Sequence, residues 1–187
     1  MHRSALESHF LALDRHDRRL RFGVAHADEA VRAYVARIDL VQDAAFGVFS
    51  DDLHLSGAAH VARAGGYAEV GLSVLSGERG RGIGGQLLAR AHTHARNWGV
   101  RALFVYCLAE NAAMMHLARQ QNMDVVIESG DAAAWLKLPP ADAASHVGAA
   151  FDQYVALFDH ALKTRLSNVR RFAGALRVKM DSPGCDE

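Results

Sequence analysis

The amino-acid sequence predicts an α/β (α+β) fold in which a mixed, mostly antiparallel sheet is flanked by helices. Short apolar runs alternate with amphipathic segments, so that the elements follow one another in the order α-α-β-β-β-α-β-α-β-β. A glycine-rich turn joins the third strand directly to a helix. With 187 residues, half of them hydrophobic, the chain is long enough for one well-buried domain.

The first half of the chain predicts two helices and then a meander of three strands. One helix covers residues 4–13, with Ser4 as its cap and Glu7 at capping-box spacing. Residues 13–22 form a charged turn, and a second helix covers residues 28–39. The strands are close enough in sequence to pair in antiparallel fashion, and they cover residues 44–49, 53–62 and 67–75.

The second half predicts two more helices and three more strands. A helix over residues 85–98 ends at Gly99, and the continuous apolar run 102–108 is typical of a strand buried on both faces. Asn111 caps a helix that reaches about residue 121. A closing hairpin has strands at 125–128 and 133–138, joined by a turn at Gly130 and Asp131.

Three parts of the chain are distinguished: a domain over residues 1–140, an amphipathic helix over 141–180 and a disordered tail over 181–187. The helix is predicted from apolar residues at three- and four-residue steps, namely Val147, Phe151, Tyr154, Val155, Phe158, Leu162, Leu166 and Val169. So long an apolar stripe requires burial. It packs on its own domain, forms a homodimer or contacts an acidic partner.

Composition excludes several classes of function. Acidic and basic residues balance at a net charge of zero, so no nucleic-acid or membrane partner is indicated. Cys107 and Cys185 are far apart in sequence, and we expect a reduced, cytoplasmic protein without a signal peptide or a membrane span. His92 and His94 point to different sides of a helix, so no metal site is predicted.

The stretch from Glu78 to Leu88 predicts an anion site. Glycines at 80, 82, 84 and 85 let backbone N–H groups point into one concavity at a helix N-terminus, and Arg79 and Arg81 add positive charge. There is no Gly-Lys-Ser/Thr ending for a nucleoside triphosphate, and the glycine spacing does not fit a dinucleotide fold. We therefore expect a phosphate or pyrophosphate group.

The pattern Arg79-x-x-Gly82-x-Gly84 resembles the Q/R-x-x-G-x-G/A signature of the GNAT acetyltransferase superfamily, which grips the pyrophosphate of acetyl-coenzyme A. The resemblance covers about residues 10–138 and includes the segment from Asn111 to Met123. The motif Asp17-Arg18-x-x-Arg21-Phe22 and the strand entry Tyr67-Ala68-Glu69-Val70 are similar to bacterial protein lysine acetyltransferases of the Pat type. Two departures are Asn122-Met123 in place of Gly-Phe, and Ala118 where many relatives carry a tyrosine that protonates the leaving thiolate.

The resemblance implies acetyl-coenzyme A (acetyl-CoA) as cosubstrate, without a metal. Glu69 is the implied catalytic base, with Tyr67, Val70 and Leu72 as apolar walls that raise its pKa. The amine attacks the thioester directly, and a backbone N–H near Val74 holds the carbonyl oxygen. The implied cofactor-binding residues are Leu72, Ser73, Val74, Arg79, Gly80, Arg81, Gly82, Ile83, Gly84, Gly85 and Asn111.

The expected acceptor is a primary amine, with a protein lysine favoured over a small amine, in a groove formed near residues 14–21 and around Gly130. The alternative is an acyl-CoA-sensing module that acts through its C-terminal helix. Individual residues also have simpler interpretations. Glu69 would pair with an arginine across the sheet, Asn111 would act as a cap alone, His116 would be an exposed histidine rather than an acid, and Cys107 would be a core thiol.

Overall fold

The computed structural model describes residues 2–141, and these form five α-helices, one short 3-10 helix at Ser76–Glu78 and six strands. Apart from Ala141, the predicted C-terminal helix and the predicted tail lie outside the described residues. The helices are Arg3–Leu11 (α1), Arg15–Phe22 (α2), Asp28–Arg37 (α3), Ile83–Asn97 (α4) and Ala112–Gln120 (α5). The strands are Ala44–Phe49 (β1), Leu55–Ala64 (β2), Tyr67–Val74 (β3), Ala102–Leu108 (β4), Asp124–Glu128 (β5) and Asp131–Lys137 (β6). None of the helices described is long and apolar enough to cross a bilayer.

The strands form a single sheet in the order β1-β2-β3-β4-β6-β5. Four of the neighbouring pairs are antiparallel, and only β3 and β4 run parallel. The connection between β3 and β4 contains α4, as a parallel crossover requires. The predicted mixed, mostly antiparallel sheet with flanking helices is thereby confirmed.

The two parallel strands diverge. Among the described residues, β3 pairs with β4 only from Tyr67 to Glu69, opposite Ala102 to Phe104. On its other side β3 stays paired with β2 as far as Val74. The carboxyl-terminal half of β3 therefore has a partner on one side only, and the sheet opens there into a fork.

The two faces of the sheet carry separate cores. Val61, Val70 and Leu103 belong to the core that α4 and α5 cover. On the opposite face, Leu55 and Ala58 pack with α1 and α3. Because side chains alternate along a strand, successive residues of β3 serve different layers.

A buried histidine ties α1 to the sheet. His9 is only 2% exposed, and its Nδ1 donates to the carbonyl of Leu55 at 2.7 Å. In the neutral ring Nε2 is then an acceptor, and it accepts a hydrogen bond of 2.9 Å from the Ser73 hydroxyl. Burial lowers the pKa of His9 below its usual value of 6.5, although the hydrogen bond to Leu55 opposes this.

Three predictions about the N-terminal layer and the sheet were wrong. Residues 15–22 form a helix rather than a charged turn, because Asp14 caps it and Arg18 donates to the backbone carbonyls of Leu11, Leu13 and His26. Ser4 lies inside α1 and does not cap it. Strand β4 is not buried on both faces, since Tyr106 is 60% exposed.

We predict that stability falls with acidification through His9. A histidine whose pKa is lowered by folding contributes stability that is complete above its unfolded pKa of about 6.5 and is lost as the pH falls below it. His9→Gln should therefore unfold more easily at about pH 7.5, by roughly 1–3 kcal/mol, yet lose less stability than the parent on going to about pH 5.5. Urea denaturation at both pH values measures this. The exposed His54 supplies the control, since His54→Gln should keep the acid sensitivity of the parent. An unchanged acid sensitivity in His9→Gln would contradict the assignment.

Candidate functional site

Two cavities lie on either side of the fork between β3 and β4. The first, which we call the loop cavity, has a volume of about 480 Å³ and is lined by the glycine-rich loop, α2 and α5. The second, the sheet cavity, has a volume of about 750 Å³ and is lined by the open face of the sheet and the end of α2. Leu20 and Arg21 line both cavities.

The glycine-rich loop has the geometry of an anion cradle. Gly80 and Gly82 have φ angles of 75° and 77°, a region that other residues rarely adopt. Gly82 occupies the N-cap position of α4, a helix of 15 residues, and no side chain caps that end. The first N–H groups of α4 are therefore available to an anion in the loop cavity.

The two arginines of the loop have different roles in the structure. Arg79 lines the loop cavity, and its Nη2 lies 2.6 Å from the buried carboxylate of Asp17 on α2. Arg81 pairs with Glu78 beside it and is not part of the lining. Arg79 therefore lies at the anion cradle and also links the loop to α2 through its ion pair with Asp17.

Gly84 has a packing function. A Cβ atom there would lie 2.9 Å from Cδ1 of Leu117 on α5, which is too close for real atoms. The glycine thus lets α4 and α5 approach each other beside the cradle. The sequence interpretation, in which every glycine of the loop makes room for a ligand, missed this second reason.

Asn111 caps α5 as predicted, since its Oδ1 accepts the backbone N–H of Met114 at 3.0 Å. Its Nδ2 lies 3.4 Å from the carbonyl of Leu20. One side chain thus joins the β4–α5 connection to α2 across the loop cavity. The predicted cofactor residues that line this cavity are Leu72, Ser73, Val74, Arg79, Gly80, Gly82, Ile83, Gly84, Gly85 and Asn111.

Glu69 lies in the sheet cavity. It is the last residue of β3 that pairs with β4, and it is exposed. The expected apolar walls are only partly present, because Val70 belongs to the core on the opposite face and Leu72 packs against that core. Alternation along β3 places Tyr67, not these two residues, on the face of Glu69.

Aromatic side chains lie beside Glu69 on the same face of β3 and β4. Tyr67 and Phe104 have ring centroids 5.7 Å apart, and Phe104 stacks on Tyr106 at 6.1 Å. Tyr67 is 44% and Tyr106 60% exposed. Val126, which is also half exposed, lines the same cavity as Tyr106. Tyr106 and Val126 therefore give the sheet cavity exposed apolar side chains, and the Glu69 carboxylate lines the same cavity.

Arg21 projects from α2 onto the fork. Its guanidinium lies against Gly71, where a Cβ atom would be 2.6 Å from Cζ and Nη1. The rings of Phe10, Phe22 and Tyr34 surround its outer side, with centroids 5.4, 4.9 and 5.6 Å from Cζ. A bulkier residue at position 71 would thus displace the guanidinium from the junction of the two cavities.

A chain of hydrogen bonds fixes the position of Arg21. Its Nη2 donates to the hydroxyl oxygen of Tyr34 at 3.0 Å, and that hydroxyl lies 2.8 Å from Nδ1 of His60. Nε2 of His60 lies 2.9 Å from Asp43. Since a carboxylate only accepts, the neutral His60 donates to Asp43 and accepts from Tyr34. Burial lowers the pKa of His60, against the opposing effect of Asp43.

Sequence reasoning did not assign Tyr34 or His60 to the site, and it placed Arg21 there only as the end of the groove expected near residues 14–21. They come from α2, α3 and β2, and only the tertiary packing of the N-terminal layer on β3 brings them together. The available signal was the Arg21-Phe22 pair within a charged segment, which was used for the resemblance alone. From the stretches expected to form the acceptor groove, near residues 14–21 and around Gly130, the residues that line the sheet cavity are Leu20, Arg21, Ser129 and Asp131.

The remaining candidates do not form a metal site. No group of three or more histidine, cysteine or acidic residues fit for a metal occurs within residues 2–141. His116 is exposed and lines the loop cavity, but not the sheet cavity. Cys107 is a free, half-buried thiol, and burial raises its pKa, with the charge of Asp131 adding to the effect.

Comparison with known families gives one match over most of the described residues. Residues 4–123 match the sequence model of the acetyltransferase (GNAT) family. No significant match is found among curated protein sequences.

Solved structures share the fold at low sequence identity. The GNAT domain of S. lividans PAT has a TM-score of 0.62 at 18% identity, covering 73% of this chain and 85% of that chain. YncA from Salmonella typhimurium, solved with its cofactor acetyl-CoA, has a TM-score of 0.60 at 16% identity, with coverages of 76% and 94%. A phosphinothricin acetyltransferase from Sinorhizobium meliloti, in complex with acetyl-CoA, has a TM-score of 0.60 at 12% identity, with coverages of 76% and 91%.

Proposed function

The chain belongs to the acetyltransferase (GNAT) family, and from that premise we propose that it transfers the acetyl group of acetyl-CoA to a primary amine. One observation carries the proposal. An anion cradle and a carboxylate lie in separate cavities that meet at the fork between β3 and β4. A donor with a diphosphate and an acceptor with an amine can therefore approach the same point from opposite sides.

The loop cavity is the proposed binding site for acetyl-CoA. The diphosphate would receive N–H groups of the loop and of the α4 N-terminus, with Arg79 beside it. The pantetheine arm would run past Asn111 along the unpaired half of β3, from Val74 toward Gly71. Two of the similar structures contain acetyl-CoA, which supports this choice of donor.

Glu69 is the proposed general base. An amine with a pKa of about 10.4 is almost entirely protonated near neutral pH, so it must lose a proton before it can attack. Glu69 projects into the sheet cavity next to the fork, where it can take that proton directly or through water. The amine then attacks the thioester without an acetylated protein intermediate, and a backbone N–H near Val74 would hold the carbonyl oxygen.

We propose a protein lysine as the acceptor, as in Pat-type enzymes. The exposed side chains of Tyr67, Tyr106 and Val126 support this, since exposed apolar patches often mark protein-binding surfaces. The similarity to the GNAT domain of S. lividans PAT also supports a protein lysine. The similarity to the phosphinothricin acetyltransferase supports a small amine as the alternative acceptor. A non-catalytic acyl-CoA sensor is the remaining alternative, and turnover distinguishes it from an enzyme.

Two further proposals concern the setting of the protein. The free thiol of Cys107 supports a reducing compartment such as the cytoplasm. The apolar stripe of residues 147–169 supports a homodimer, and light scattering of the full chain measures its oligomeric state.

The acceptor class is tested by following the release of coenzyme A (CoA). The panel contains lysine peptides with blocked N-termini, lysine-free peptides with free N-termini, small amines and the folded enzyme acetyl-CoA synthetase. Preference for the blocked lysine peptides or the folded protein supports the lysine proposal. Preference for small amines would replace it, and binding without turnover on any acceptor would favour the sensor.

We predict that Gly82→Glu abolishes binding of acetyl-CoA, because a side chain at a positive φ angle strains the loop and a carboxylate repels the diphosphate. Gly65→Glu is the matched control. Gly65 also has a positive φ, of 57°, and nothing lies within 4 Å of its Cβ position, but it lies in the β2–β3 turn, outside both cavities. Calorimetry should show binding in the control only. Binding of similar strength in both variants would exclude the loop as the site.

We predict that Glu69→Gln lowers kcat by roughly 10² to 10⁴, with little change in the affinity for acetyl-CoA, because the variant keeps the shape of the side chain but cannot accept a proton. The exposed Glu29 on α3 provides the control, since Glu29→Gln should behave like the parent. Steady-state kinetics and calorimetry measure the two quantities. Retention of more than about a tenth of the activity would assign the base to water or to another residue.

A further inference from the structure

Arg21 is a cation at the junction of the two cavities without a carboxylate partner. Within residues 2–141 no acidic side chain lies within ion-pair distance of it, although other arginines nearby, Arg18, Arg19 and Arg79, each have one. Its Nε is buried and has no hydrogen-bond partner. Removal of a charge from water is costly unless negative charge is supplied to it.

The surroundings hold this cation at one place. Three aromatic rings cover its outer side, Gly71 supports its inner side, and Tyr34 accepts from Nη2. Among the described residues, Nη1 makes no hydrogen bond, and it belongs to a side chain that lines both cavities. The guanidinium is therefore preorganised, with donor capacity left for a group at the junction.

The other polar groups that face this position do not carry a permanent positive charge. Burial lowers the pKa of both His9 and His60, and the nearby charge of Arg21 lowers them further. Glu69 precedes Gly71 by two residues on the same face of β3. Leu20, which also lines both cavities, has no polar side-chain atom. Arg21 is thus the one cationic side chain that lines both cavities among the described residues.

We propose that Arg21 is a further catalytic residue, whose guanidinium stabilises the negative charge that develops on the thioester oxygen and then on the departing sulfur of coenzyme A. The inference rests on the proposed function of the site. Ala118, where many relatives carry a tyrosine, is 1% exposed in the core and has no group that can interact with the leaving sulfur.

Glu69 first takes the proton of the ammonium form of the acceptor and passes it to solvent. As the neutral amine nitrogen then bonds to the carbonyl carbon, the π electrons of the carbonyl move onto the oxygen, and the nitrogen loses its second proton to the same carboxylate. When the C–S bond breaks, the carbonyl re-forms and the electron pair leaves on sulfur. Arg21 remains protonated throughout and contributes its fixed charge and hydrogen bonds. Water later protonates the thiolate, and Glu69 returns its proton to solvent.

The first test uses the product, coenzyme A, and needs no acceptor. If Arg21 lies beside the sulfur, the bound thiol should have a pKa about one to three units below that of free coenzyme A. Coenzyme A should then bind more tightly as the pH rises through that lowered pKa, whereas desulfo-coenzyme A should not. In Arg21→Met the bound thiol should return to its free value, and Arg21→Lys should lie between the two.

The second test is kinetic. Arg21→Met should lower kcat by about 10² to 10³ on every acceptor, the effect of removing one preorganised donor, and Arg21→Lys should recover part of the loss. Affinity for desulfo-coenzyme A should be unchanged in both, which shows that the loop cavity is folded. Arg15→Met removes a charge from the exposed side of the same helix and should match the parent.

The outcomes separate this inference from the proposed function. A lowered thiol pKa that depends on Arg21 supports the inference even when no acceptor turns over. Turnover with the same thiol pKa in parent and Arg21→Met would overturn it while leaving the acetyltransferase intact. A kinetic loss confined to acceptors that carry a carboxylate would also overturn it, because Arg21 would then recognise the acceptor.

Discussion

The site depends on the short parallel pairing between β3 and β4. After three residue pairs the strands separate, and the second half of β3 keeps its hydrogen bonds to β2 alone. Backbone groups that a continuous sheet would use are left for a ligand. A short 3-10 helix at Ser76–Glu78 follows β3, and the glycine-rich loop then leads into α4, so the anion cradle and the fork face the same cavity.

The separation of β3 from β4 determines what the residues on one face of β3 contact. Glu69 is the last residue paired with β4, and Gly71, the next residue on that face, lies beyond the fork and supports Arg21. Ser73 comes next and holds His9. Because side chains alternate along a strand, Glu69, Gly71 and Ser73 lie in one row on the same face of β3. This row brings together the Glu69 carboxylate, the Arg21 guanidinium from α2 and the contact that holds α1. The proposed chemistry takes place between the first two.

Local signals were sufficient for the parts of the fold and site that depend on neighbouring residues. Gly99 ends α4 with a φ of 69°, Asn111 caps α5, and β4 has the predicted bounds. The loop after β3 was found because positive φ angles demand glycine. These features depend on backbone geometry over a few residues, which composition and spacing reveal directly.

Features that depend on distant contacts were not predictable in this way. The helix α2 is strongly charged, and it is held by bonds from Arg18 to carbonyls at three other positions in the N-terminal layer. Arg21 meets Tyr34 and His60 only because α3 and β2 pack beside it. The expectation that Val70 and Leu72 wall the Glu69 side chain failed because neighbours in a strand point to opposite faces.

The most direct test of this account is a crystal structure of the protein with coenzyme A. The account predicts the diphosphate against the backbone of residues 80–85 and the sulfur in the fork between β3 and β4, within about 4–6 Å of the Arg21 guanidinium. A diphosphate bound elsewhere, or a sulfur that lies outside the fork and away from both Glu69 and Arg21, would contradict it.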